Sequence, residues 1–99
     1  MDTVDPVEFR KSLTRRTPPP GLTALLEALW REARGDWARA HEIVQGCRGR
    51  TAAAVHAYLH RREGDLANAD YWYERAGRER SRGPLEREWE RLVSELLET

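Results

Sequence analysis

His56 and His60 stand four residues apart in a segment where Ala52, Val55 and Leu59 recur at helical spacing. One turn of helix would put both imidazoles on one face, close enough to share a metal ion. Such a site needs further ligands, and His41 and Glu63 are the candidates, although no His-Glu-x-x-His pattern accompanies them. The competing expectation is plainer: both rings are half-buried polar groups lining a groove between helices. Cys47 is the only cysteine, so an internal disulfide and a cysteine-rich metal site are excluded. Its place on an apolar stripe argues for a small buried hydrophobe rather than a thiol activated by His41. Gly46-Cys47-Arg48-Gly49 follows no strand and lacks the Lys-Ser/Thr ending of a phosphate loop. The sequence therefore assigns no catalytic residue, no metal and no cofactor, and the expectation is a protein that is not an enzyme.

Aromatic residues gather in the same half of the chain: Tyr58, Tyr71, Trp72 and Tyr73, with Trp30 upstream. Neighbours on a helix diverge by ~100°, so Tyr71-Trp72-Tyr73 cannot all face one side. The stripe assigns Tyr73 to the core, Trp72 to partial burial and Tyr71 to the surface, where tyrosine suits recognition.

Seventeen basic residues balance seventeen acidic ones, and sixteen of the basic ones are Arg. Arg48 with Arg50, Arg61-Arg62 and Arg75 through Arg82 form short basic runs interrupted by Glu63, Glu74 and Glu79. Zero net charge argues against nucleic acid as a partner, and the runs read as solvated helix faces. The last segment is acidic (Glu86, Glu88, Glu90, Glu95 and Glu98) and is placed to pair with the Arg-rich loop of its own chain or of a neighbour. No run of ~18 apolar residues exists, so no membrane span is expected. Met1 to Arg16 lacks the apolar run of a signal peptide, leaving the bacterial cytoplasm as the default location.

These side chains need a scaffold, and the periodicity supplies one that is entirely helical. Asp5-Pro6-Val7-Glu8 opens a short helix, to about Leu13, with Val7, Phe9 and Leu13 as its apolar members. Thr17-Pro18-Pro19-Pro20-Gly21 then forbids helix, so residues 1–21 read as an arm with a mobile or loosely docked helix and a Pro-rich linker. Residues 22–99 read as the folded domain. Leu22, Leu25, Leu26, Leu29 and Ala33 mark one helix, stopped by Gly35, and Asp36 caps the next, with Trp37, Ala40, Val44 and Cys47 on its stripe. Thr51 is expected to cap a helix over 52–63. Gly64-Asp65 then repeats the earlier corner, ahead of Leu66, Ala69, Tyr73 and Ala76 as inward residues. After Gly83-Pro84 a last helix carries Leu85, Trp89, Leu92, Val93, Leu96 and Leu97. With 34% charged residues, against a usual ~25%, the chain fits helices with one apolar stripe and a charged outer face.

The corners Gly35-Asp36 and Gly64-Asp65 lie 29 residues apart, and at that offset Ala24/Ala53, Ala28/Ala57, Ala38/Ala67 and Ala40/Ala69 are also identical. A repeated helical hairpin explains the coincidence. The stretch Glu63-Gly64-Asp65-Leu66-Ala67-Asn68-Ala69-Asp70-Tyr71-Trp72-Tyr73-Glu74-Arg75-Ala76 resembles the second helix of tetratricopeptide and Sel-type repeats. The segment from His56 to Gly77 is also similar to small uncharacterised bacterial proteins. The resemblance implies an all-α fold: two tetratricopeptide-like helical hairpins forming a short α-α solenoid, with a C-terminal capping helix.

It also implies a function class, in which the first helix of each hairpin lines a shallow groove that takes a protein or peptide partner. The groove residues so designated are Glu27, Arg31, His56, His60 and Glu63, with Tyr71 and Trp72 beside them. Two alternatives stand next to this expectation. One is a self-associating unit, a homodimer formed through Trp89, Leu92, Leu96 or the N-terminal arm. The other is a small metal-binding or acid-base protein using His56 and His60.

Overall fold

Asp5 accepts a hydrogen bond from the Glu8 amide at 2.8 Å and opens α1 (Pro6–Lys11), which tightens into a 3-10 turn over Ser12–Thr14. The computed structural model describes residues 4–98. Residues 1–3 of the proposed arm, and Thr99, lie outside the described residues. The helix is not loosely docked: Phe9 is fully buried against Trp89, and the Trp30 indole donates to the Ser12 hydroxyl at 3.1 Å. Pro18 to Gly21 form no helix, and a turn at Pro20-Gly21 leads the chain back to α2.

Five further helices follow: α2 (Ala24–Ala33), α3 (Trp37–Gln45), α4 (Arg50–Glu63), α5 (Leu66–Ala76) and α6 (Leu85–Glu98). The described residues contain no strand, so the fold is all-α: two helical hairpins, α2–α3 and α4–α5, with α6 laid across them. The two Gly-Asp corners have one geometry. Gly35 and Gly64 take φ of +92° and +88°, a left-handed conformation that costs glycine nothing. Behind them, Asp36 N donates to Arg31 O and Asp65 N to His60 O, both at 2.9 Å. Each Asp carboxylate then caps its helix, accepting from Arg39 N at 3.1 Å and Asn68 N at 3.2 Å.

Helix α4 is the axis of the molecule. Every residue from Ala52 to His60 is buried, because α2, α3, α5 and α6 all pack against it. Ala52, Ala53, Ala54 and Ala57 permit this crowding, since small residues let helix backbones approach. Three local expectations are corrected. Helix α4 begins at Arg50 behind Gly49, not behind Thr51, and has no side-chain cap. Leu66 is exposed, because position one of α5 lies beyond the hairpin contact, and Ala33, in the last turn of α2, is also exposed. The stripe of α6 is spent within its own chain: Trp89, Leu92 and Leu96 are buried, and the Trp89 indole donates to Leu29 O at 3.0 Å. They are therefore not available for the expected two-fold contact. The acidic face of α6 does meet the Arg-rich loop of its own chain, with Arg78 bonded to Glu95 at 3.0 Å.

Candidate functional site: a histidine cluster between the hairpins

His41 comes from α3 in the first hairpin, and His56 and His60 come from α4 in the second. The packing of α3 on α4 brings the three rings together. His41 Nε2 lies 3.1 Å from His56 Nε2. The His56 and His60 rings stack at 5.0 Å, and His41 meets both edge-on, at 4.9 and 5.1 Å between centroids. One ligand nitrogen from each ring falls within 4.8 Å of the other two. A tetrahedral ion bound at 2.0–2.1 Å spaces its nitrogen ligands by about 3.3 Å, so the His41–His56 pair already has the required separation.

Two tryptophans wall the cluster. Trp72 of α5 lies flat on His56, with centroids 3.8 Å apart and planes at 11°. Trp37 stacks on His41 at 4.8 Å and turns its edge to His60 at 5.8 Å, anchored by its indole N–H donating to Leu59 O at 2.6 Å. The ring faces are thus covered, and the chemistry of the site lies at the ring nitrogens, of which the Nε2 atoms of His41 and His56 share a hydrogen bond.

Glu63 completes the arrangement from one turn further along α4. Its Oε1 lies 2.7 Å from His60 Nδ1, and an ionised carboxylate only accepts, so Nδ1 is the donor in this contact and Nε2 is left as the ligand position. This is the carboxylate–histidine pairing that orients imidazole ligands in metal sites. A second grouping, His60, Glu63 and Asp65, shares these residues, but the Asp65 carboxylate is engaged in capping α5.

The surroundings favour the neutral form of His41 and His56. Burial, reinforced by His41 and His60, pushes the His56 pKa down from 6.5 to about 4. Burial first and His60 second also lower that of His41, while Glu63 opposes the shift. His41 and His56 are thereby held as imidazoles that need not lose a proton before binding a cation.

No protein-family model, curated protein or solved structure matches this chain.

The residues designated from sequence separate into two sets. His56, His60, Glu63 and Trp72 converge, but His56 and His60 are only 6% and 5% exposed, so neither forms an open groove surface. Glu27 and Arg31 occupy the equivalent places in the first hairpin and pair with each other at 3.2 Å, Arg31 also lying over Trp30. Tyr71 is 53% exposed, and Arg75 bonds to its hydroxyl at 3.2 Å. Cys47 is half-buried and donates to Ile43 O at the end of α3. Trp37 was the residue missed. Its hint was present in the sequence, since it precedes His41 by four residues and so shares its helix face.

Two buried carboxylates were also missed. Glu32 accepts from the Tyr58 hydroxyl at 2.9 Å and faces Arg62 at 3.3 Å. Glu88 accepts from the Tyr73 hydroxyl at 2.6 Å and from Arg61 at 2.8 Å. Both stand at apolar spacing, three residues after Leu29 and four before Leu92, where the stripe alone reads them as gaps.

Proposed function

We propose that this protein binds a divalent transition-metal ion, zinc(II) in the first instance, through His41, His56 and His60, with Glu63 orienting His60. The observation that carries the reading is the convergence of three imidazoles from two hairpins within 4.8 Å. All-nitrogen donor sets suit zinc, copper and nickel, whereas magnesium and calcium prefer oxygen. Three protein ligands would leave a tetrahedral ion one position for water or a substrate group, the pattern of catalytic rather than purely structural zinc. An ion here would also tie the first hairpin to the second.

Chelator-treated protein titrated with zinc(II) and cobalt(II) tests this. One equivalent of cobalt(II) should give the intense visible bands of a tetrahedral site, competed away by zinc(II) and absent in His41→Ala and His60→Ala. Cobalt spectra unchanged by either substitution would end the proposal.

A second reading, recognition of a protein partner, draws its support from Tyr71, an exposed aromatic steadied by Arg75. The tetratricopeptide-like character of the hairpins is supported by the shared geometry of the two Gly-Asp corners. For this reading a Tyr71→Ala variant should lose a co-purifying partner while keeping its helical content, and retention of the partner would count against it.

A further inference from the structure

Beside the histidine cluster a cleft of about 890 Å³ opens at the turn between α3 and α4, with α5 as its far wall. His56 and Trp72 are among its lining residues, and so are three guanidinium groups: Arg48, Arg50 and Arg75. Among the described residues no Asp or Glu lines the cleft, in a chain whose charges balance overall. Among the described residues, seven of the sixteen arginines pair with a carboxylate, and Arg48, Arg50 and Arg75 are among the nine that do not. Three like charges around one concavity repel each other, and an anion bound between them would relieve that repulsion.

Two of the three side chains have contacts that orient them. Arg75 is held by the Tyr71 hydroxyl and lies 5.5 Å from the centre of the Trp72 ring. Arg50 extends from the start of α4 to the end of α5, where its Nη1 would come within 3.8 Å of a Cβ at Gly77. The first turn of α4, behind Gly49, has no side-chain cap, and its residues Arg50 and Ala52 line the same cleft. Guanidinium forks match the oxygen pairs of phosphate bidentately. The volume is that of a small-molecule site.

We infer that this cleft binds a small soluble phosphate-bearing anion, held by Arg48, Arg50 and Arg75 with the α4 amides. The inference goes beyond metal binding and does not rest on it. Because His56 belongs to both sites, the anion would lie next to any ion held by the histidines.

The test uses the full chain freed of metal by chelation, titrated with pyrophosphate and followed by calorimetry and by tryptophan fluorescence. Saturable one-to-one binding is expected, weakened about tenfold by each of Arg48→Ala, Arg50→Ala and Arg75→Ala, which is the loss of one charge-assisted contact. Arg15→Ala, an exposed arginine outside the cleft, should leave binding unchanged. Three results would overturn the inference: no saturation at millimolar pyrophosphate, equal weakening by Arg15→Ala, or an oligonucleotide or anionic vesicle binding far more tightly per phosphate than pyrophosphate. The three cleft variants should still give the cobalt(II) spectrum. Failure of anion binding with that spectrum intact removes this inference alone, and loss of the spectrum in His41→Ala with anion binding intact separates the two sites.

Discussion

Oε1 of Glu63 lies 2.7 Å from Nδ1 of His60, one turn along the same helix, and this contact decides which nitrogen of His60 faces its histidine neighbours. Replacing the carboxylate with an amide keeps the volume but lets either tautomer form. Glu63→Gln should therefore weaken zinc(II) binding by roughly 10- to 100-fold, the usual effect of removing a supporting carboxylate. The Glu63 side chain is 37% exposed, so the fold should tolerate the change, and circular dichroism should be unaltered. Competition against a chromophoric chelator measures the affinity, and a wild-type constant would show that Glu63 does not orient the ligand.

Zinc should also stabilise the folded chain, since a ligand bound only by the native state adds about 2.7 kcal/mol at one hundred times its dissociation constant. For a chain of this size that is a rise of roughly 10–20 °C in Tm. The rise should vanish in His41→Ala, whose ring comes from the other hairpin. A Tm insensitive to zinc in the native sequence would be the contrary result.

Acid should destabilise the metal-free protein through His56. Its pKa in the folded chain is about 4, against 6.5 for an unburdened imidazole. Between those values the unfolded chain takes up a proton that the folded chain refuses. The stability is thus complete above pH 6.5, declines as pH falls toward about 4, and changes no further below that from this group. The full difference corresponds to about 3 kcal/mol. The lowered pKa of His41 acts in the same direction. Urea midpoints for the chelated protein at about pH 7 and pH 5 should show the decline, and His56→Asn should flatten it. An equal decline in the variant would assign the acid sensitivity to other groups.

The Gly-Asp corners make a sharper test of the scaffold. A Cβ at Gly64 would meet no atom within 4 Å, yet φ is +88°. Gly64→Ala should therefore cost roughly 1–2 kcal/mol through backbone conformation alone. Gly46, closing α3 in the right-handed region, has no such restriction, and Gly46→Ala should be neutral or slightly stabilising. Chemical denaturation of the two variants distinguishes them, and equal costs would contradict this account of the corners.

The corners were legible in the sequence because Gly followed by Asp has a local cause: one residue leaves a helix and the next caps another. The helices of each hairpin followed from the same logic, with limits set within a residue or two. What local patterns could not show was the environment of α4. A helix buried on every side has no polar face to announce its orientation, so His56 and His60 read equally well as groove lining or as interior. Their spacing pointed to a shared face, but only the packing of α3 brought His41 and Trp37 onto it. Phe9 illustrates the converse. Its helix was visible, but its docking depends on Trp30 and Trp89, far along the chain, and no periodicity reports such a contact.

Glu88 and Arg61 provide a final test of how the interior tolerates charge. Both side chains are largely buried, 5% and 13% exposed, and bonded at 2.8 Å, with the Tyr73 hydroxyl completing the coordination of Glu88. Arg61→Met leaves the carboxylate in place with a tyrosine but no cation, and should cost roughly 3–5 kcal/mol. Replacing both, Arg61→Met with Glu88→Leu, removes the stranded charge, leaving Tyr73 to find another partner for its hydroxyl. The double variant should recover most of the stability lost by the single one, because an apolar pair of similar volume needs no desolvation. A double variant as unstable as Arg61→Met would mean that packing around the guanidinium stem, rather than charge pairing, holds α6 against α4.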